Sequence, residues 1–231
     1  MRSCAKWLTF CLAAGAWAFS SDHSETFNTD VGPVNITPIH DASMFIEGAG
    51  RVLYVDPVGE GSYKAGPKAD FILITSDRPE HLDPAAIQHI SKKNTAIIAP
   101  AAPAAHLRQS TPIANGETVR SGEIVIEAVP AFQAAADRGQ SNGYILTYPG
   151  LRIYISGDTA FYPEMKAFKN IEVAFLAVGA AGTMSIEDAA KAVKLIKPKT
   201  LFPYRLPKGN ADDIRRQLAV PGTEVRVRKW N

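Results

Sequence analysis

The stretch NGYILTYPGLRIYISGDT, residues 142–159, decides how this chain is read. Tyr144–Tyr148 and Arg152–Ser156 are short runs rich in β-branched and aromatic residues, parted at Pro149 and Gly150. That pattern predicts two strands separated by a turn. The second run stops on Gly157-Asp158-Thr159. Polar residues that close a buried strand often line a site, and the alternative for an acid such as Asp158 is that it only caps the turn.

The same pattern recurs toward the N-terminus. Val34–Thr37, Ser43–Glu47, Arg51–Val55 and Phe71–Thr75 read as strands, punctuated by Gly48, Gly50, Pro57, Gly59 and Gly61. Asp56 follows one of these strands, and the polar run TSDRPEHLDP, residues 75–84, follows another. Asp83-Pro84 then predicts a capped helix through Ser91, with a strand at Ala96–Ala99 and a short helix over 101–108. Downstream, Glu123–Val129, Val173–Val178, Leu201–Tyr204 and Glu224–Lys229 read as strands and Ala211–Leu218 as a helix. Ser185–Ile196 is the strongest helix, with Ser185 at the cap and an apolar stripe of Ile186, Ala189, Ala190, Val193 and Ile196. Two strand-rich halves, each followed by helices, predict an α/β fold of two packed sheets covered by helices. No internal repeat is visible in the sequence.

The chain has 231 residues, 46% hydrophobic and 21% charged, enough for one ordinary core. Its first eighteen residues read as a signal peptide: Arg2 and Lys6 give a positive start, Trp7–Ala14 an apolar run, and Ala16-Trp17-Ala18 a cleavage site. An uncleaved anchor is the alternative. The expected organisation is a signal peptide at 1–18, a flexible leader at 19–32 and one domain at 33–231, exported to a periplasm or secreted. No apolar run beyond the N-terminus predicts a membrane span. Cys4 and Cys11 both fall in the signal, so a mature chain would have no disulfide, cysteine nucleophile or thiolate ligand. Cleavage would also remove two of 25 basic residues and none of the 23 acidic ones, leaving 23 against 23. A balanced chain gives no electrostatic basis for nucleic-acid binding.

Seven landmarks in order now carry a resemblance: ITPIHDASMFIE (36–47), VLYVDP (52–57), ADFILIT followed by HLDP (69–84), EAVPAF (127–132), the stretch at 142–159, TMSIEDAAKAV (183–193) and KPKTLFPY (197–204). Together they resemble the metallo-β-lactamase superfamily, in its sugar-lactonase-like, metal-dependent hydrolase branch. The resemblance implies a four-layer αββα sandwich with the site at one edge of the two sheets. In such hydrolases the segment after the ILIT strand reads THxHxDH or TDxHxDH. Here it is Thr75-Ser76-Asp77-Arg78-Pro79-Glu80-His81. By that resemblance Ser76 and Arg78 stand at ligand positions, Glu80 replaces an aspartate and His81 is retained. A further histidine position falls near Ala136, Asp158 is the surviving bridging acid, and Arg205 stands where a last histidine belongs. His40, within HDAS, takes a supporting place beside the site.

Arginine keeps its proton and offers no lone pair to a metal. The residues therefore predict a cleft with no cofactor, in which Arg78 and Arg205 neutralise Glu80 and Asp158. The first functional reading is an exported, non-catalytic relative that binds a small anionic ligand or an envelope protein through Arg78, Arg205, His40 and Ser76. The alternative is an active hydrolase of lactone, ester or phosphodiester bonds with Glu80, His81 and Asp158 as its catalytic candidates, using one metal, zinc or another divalent ion, or none. A serine mechanism through Ser76, Asp77 and His81 is a further possibility, without the G-x-S-x-G turn that would expose such a nucleophile.

Overall fold

The computed structural model describes residues 24–59, 63, 66–132, 140–207, 209 and 211–228. The expected signal peptide, the first residues of the leader, and Ala136 lie outside them. The first half supplies strands β1 (Glu25–Thr29), β2 (Gly32–His40), β3 (Ser43–Gly48), β4 (Arg51–Val55), β5 (Phe71–Leu73), β6 (Ala96–Ala99) and β7 (Ser110–Pro112). Helix α1 (Pro84–Ile90) follows β5 and α2 (Ala101–Ala104) follows β6. The second half supplies β8 (Thr118–Ser121), β9 (Ile124–Ala131), β10 (Ser141–Tyr148), β11 (Leu151–Ile155), β12 (Val173–Ala177), β13 (Thr200–Tyr204) and β14 (Glu224–Val225), with α3 (Ile186–Ile196) and α4 (Ala211–Leu218).

Each half forms one sheet whose strands lie side by side in chain order. In the first sheet β1 to β4 pair antiparallel and β4 to β7 parallel. The second repeats this, antiparallel from β8 to β11 and parallel from β11 to β14. The two halves thus share a topology that their sequences do not display.

Helix α1 begins where expected, with Asp83 Oδ1 accepting from the N–H groups of Ala85 and Ala86 and proline in its first turn. Helix α3 is capped by Ser185 Oγ, 3.1 Å from the Asp188 N–H. Strands β12 and β13 are buried at every position, as parallel strands covered on both faces must be. Three apolar layers separate the elements. Ile46, Leu53 and Val55 meet Leu146, Ile153 and Phe175 between the sheets. Ile72 and Ile74 meet Ile87 and Ile90 of α1, and Ala174 and Leu176 meet Val193, Ile196 and Leu218 of α3 and α4. The order is helix, sheet, sheet, helix, the four-layer sandwich the resemblance implied.

Local differences have identifiable causes. Residues 25–29, assigned above to a flexible leader, form β1, an edge strand paired with β2 from Glu25↔Ile36 to Thr29↔Gly32. Its residues alternate between half-buried and exposed, so no apolar run announces it. Glu25 is held instead by Arg226 and Arg228 at 2.6 and 2.7 Å. Strands β7 and β8 are likewise short and polar, without an apolar run. The helix expected over 101–108 stops at Ala104, and the last strand stops at Val225.

Candidate active site

The parallel strands bring their C-terminal ends to one edge of the sandwich, where an α/β sheet places its chemistry. Asp56 follows β4, the loop 75–81 follows β5, Asp158 follows β11 and Arg205 follows β13. The sheets are tied there by the Asn142 N–H donating to the Thr75 carbonyl at 2.9 Å. Gly157, with φ +59°, turns the chain into Asp158, and an added Cβ would lie 3.0 Å from both Asn142 O and Thr75 Cβ. Only glycine meets both demands.

His81 is fully buried between two carboxylates. Its Nδ1 lies 2.8 Å from Asp56 Oδ2, and its Nε2 lies 3.0 Å from Asp158 Oδ2. Asp56 is fixed in turn by accepting the Thr75 N–H at 2.7 Å and the Thr75 hydroxyl at 2.6 Å. Burial opposes a charge on His81, but the charge of Asp56 and the hydrogen bonds to Asp158 and Asp56 prevail and push its pKa up to about 10. Tyr204, fully buried nearby, has its hydroxyl pushed up by burial and stays neutral.

Two guanidiniums complete the cluster. Arg78 Nη1 donates to Asp158 Oδ2 at 3.1 Å and to the Ala181 carbonyl at 3.2 Å, and lies 3.5 Å from Glu80 Oε1. Gly182 makes room for it, since a Cβ there would sit 3.1 Å from both of its terminal nitrogens. Arg205 Nη1 is 3.0 Å from Asp41 Oδ2 and 3.2 Å from His81 Nε2. Its Nη2 is 3.6 Å from Glu80 Oε1 and its Nε is 3.4 Å from Asp158 Oδ1. That last pair has charge proximity without hydrogen-bond geometry, because both buried atoms lack a hydrogen-bond partner. The nature of the Nη1 contact follows the His81 proton. Neutral His81 would turn its Nε2 lone pair to Arg205, whereas protonated His81 donates to Asp158 and faces Arg205 as a second cation.

The structure therefore brings Arg78, Glu80, His81, Asp158 and Arg205 into one cluster, as the sequence reading grouped them. Ser76 is buried at its edge, with its Oγ 3.5 Å from the Arg78 N–H. The His81 ring meets Thr75, Asp56 and Asp158 rather than Ser76, so the serine arrangement is not assembled among the described residues. His40 is exposed at the end of β2 and lines, with Asp41, Arg205 and Arg228, a cavity of about 520 Å³ beside the cluster. Asp56 was noticed as a strand-end acid but given no role, and Asp41 was passed over. The positive φ of Asp56 (45°), Asp41 (46°) and Arg205 (55°) shows the backbone contorted at all three places, a cost that concentrates at working sites.

The donors suit one divalent ion. Glu80, His81 and Asp158 each offer a ligand atom, all within 4.8 Å of one another. Asp158 Oδ1 is a buried carboxylate oxygen with no hydrogen-bond partner. Asp56 behind His81 is the carboxylate–imidazole pairing that orients a metal-binding histidine. Four carboxylates (Asp41, Asp56, Glu80 and Asp158) outnumber the three cations Arg78, Arg205 and protonated His81, so the cluster retains one negative charge in excess. Imidazole and carboxylate donors fit zinc, manganese or iron.

Comparison with known proteins agrees. A family model described as a beta-lactamase superfamily domain matches residues 35–205. A crystal structure of a protein from Parabacteroides distasonis, assigned as a metal-dependent hydrolase, is 39% identical, with a TM-score of 0.85 over 90% of this chain and 99% of that one. A UPF0173 metal-dependent hydrolase of Archaeoglobus fulgidus is 29% identical over 221 residues, covering 84% of this chain and 94% of that protein. Another, from Pyrococcus furiosus, is 31% identical over 190 residues, covering 74% and 83%.

The expectation of a cleft without a cofactor is corrected here. Its basis was that arginines at two ligand positions exclude a metal. The relatives are named as metal-dependent hydrolases, and three ligand-type side chains still converge on one point. Arginine removes ligands from part of the site and leaves Glu80, His81 and Asp158 available.

Proposed function

The chain belongs to the metallo-β-lactamase superfamily, and from that premise we propose that it is a hydrolase working with one divalent metal held by Glu80, His81 and Asp158. This is the second of the two readings drawn from the sequence. The observation that carries it is the convergence of those three side chains at the strand-end edge, with His81 backed by Asp56.

A divalent ion bound there would act as a Lewis acid on the scissile group and lower the pKa of water. The chain's own residues do the rest. Asp56 retains the Nδ1 proton of His81 and so directs Nε2 toward Asp158. Asp158 is oriented by Arg78, whose side chain is 31% exposed and has its Nη2 directed to no described partner. That guanidinium is positioned to hold negative charge developing on a substrate oxygen. The positive wall formed by Arg78 and Arg205 favours substrates that carry a carboxylate or phosphate, so an acidic lactone, ester or phosphodiester is the substrate class.

The full-length protein, stripped with a chelator and reloaded with zinc, manganese or iron(II), should hydrolyse at least one of bis(p-nitrophenyl) phosphate, the mono-p-nitrophenyl ester of succinic acid or a lactone that carries a carboxylate. Replacement of the half-exposed Glu80 by alanine should abolish metal retention with little effect on folding. Absence of turnover on all three substrates at one bound metal per chain would refute the proposal.

A further inference from the structure

We propose that Arg205 is a displaceable internal counter-ion, whose guanidinium holds the metal's place among Glu80, His81 and Asp158 and moves into the adjoining cavity when a divalent cation binds. The inference rests on the metal reading above. It comes from the contacts of a single side chain. Arg205 reaches all three ligand residues, at 3.2 Å from His81, 3.4 Å from Asp158 and 3.6 Å from Glu80. A cation bound by the same atoms would meet the guanidinium at close range, and like charges in a buried place repel strongly. Arg205 and the metal are therefore alternatives in this arrangement.

The guanidinium is also poorly fastened on that side. Nε, in a side chain only 9% exposed, has no hydrogen-bond partner, and neither does Asp158 Oδ1 opposite it. Its shortest contact is with Asp41, at 3.0 Å. Asp41 and Arg205 both line the cavity of about 520 Å³, so Arg205 can leave the ligands without leaving Asp41. Arg78 behaves differently. Its Nη1 is held by the Ala181 carbonyl as well as Asp158, and Gly182 packs against its head group, so it stays when the metal enters. In the loaded protein Arg205 becomes a cationic contact in the cavity for the acidic group of a substrate. Metal loading and substrate recognition are then coupled through one residue.

Two measurements on the full-length protein test this. Calorimetric titration with Mn2+ compares the chelator-stripped wild type with Arg205→Gln, and phenylglyoxal labelling with mass spectrometry reads the reactivity of Arg205 with and without Mn2+. We expect the variant to bind Mn2+ at least about tenfold more tightly, the scale of a neighbouring charge removed. We also expect Mn2+ to raise labelling of Arg205 in the wild type and leave Arg78 unchanged. Equal or weaker affinity in the variant overturns the displacement and leaves the metal site standing. Failure of both proteins to bind overturns displacement and metal site together. Should Arg205→Gln not fold, labelling of the wild type decides alone, and reactivity unchanged by Mn2+ overturns the displacement.

Discussion

Metal binding to this protein should expel a proton, and its affinity should climb steeply with pH. His81 Nε2 is the atom a metal needs, yet with Asp56 at 2.8 Å and Asp158 at 3.0 Å the ring holds two protons up to a pKa of about 10. At pH 7 the metal therefore competes with a proton favoured by three pH units, a factor of about a thousand. Below pH 10 the apparent affinity should rise about tenfold per pH unit, or about a hundredfold from pH 6.5 to 8.5. Asp56 retains Nδ1–H throughout, so one proton leaves per metal. Titration calorimetry with Mn2+ in two buffers of different ionisation enthalpy counts that proton directly. Asp56→Asn removes the charge that does most to hold it, and the pH slope should flatten in that variant. An affinity independent of pH in the wild type, with no proton released, would show that His81 either does not ligate or is already neutral.

Three further outcomes are expected. Gly157→Ala imposes a side chain at φ +59° and a Cβ 3.0 Å from Asn142 O, which should cost about 2 kcal/mol and lower Tm by about 6 °C; an unchanged melting curve would contradict the packing described. The metal-free protein should lose stability with rising pH, because a histidine whose folded pKa of about 10 exceeds its unfolded value of about 6.5 contributes fully below 6.5 and loses that contribution as pH passes through 10. Thermal melts from pH 6.5 to 10 should show this decline in the metal-free form and a flatter profile with metal bound. We also propose export on the pattern of residues 1–18, and intact-mass analysis of the expressed protein should then find a mature chain starting near Phe19; a cytoplasmic chain retaining Met1 would refute it.

Much of the sandwich was legible because its central strands are apolar and its turns carry glycine or proline. Leu53, Ile72, Ile153 and Phe175 announce buried strands whatever their neighbours. The edge strand β1 was illegible, because ETFNT has no apolar run and is held by Arg226 and Arg228, some 200 residues away in sequence. The same division holds at the site. Glu80, His81 and Asp158 stand next to recognisable strand ends, so their convergence could be expected. Arg78 and Arg205 do lie against Glu80 and Asp158 as expected, and only the step from them to a cofactor-free cleft fails, because residue type alone states what cannot ligate. It does not state that Arg205 contacts three potential ligands without a good hydrogen bond to two of them. Asp56 was visible as an acid after VLYV, but its partnership with His81 spans 25 residues and depends on the parallel pairing of β4 with β5.

The twofold architecture has a consequence for how this molecule comes into being. One sheet brings Asp56, Arg78, Glu80 and His81, and the other brings Asp158, the loop under Arg78 and Arg205. Neither half holds the whole cluster. During synthesis the first half emerges with His81 beside Asp56 and Arg78 beside Glu80, whereas Asp158 and Arg205 join them only when the second sheet has formed and docked. The full cluster is therefore assembled only once the two sheets have docked through the apolar core they share.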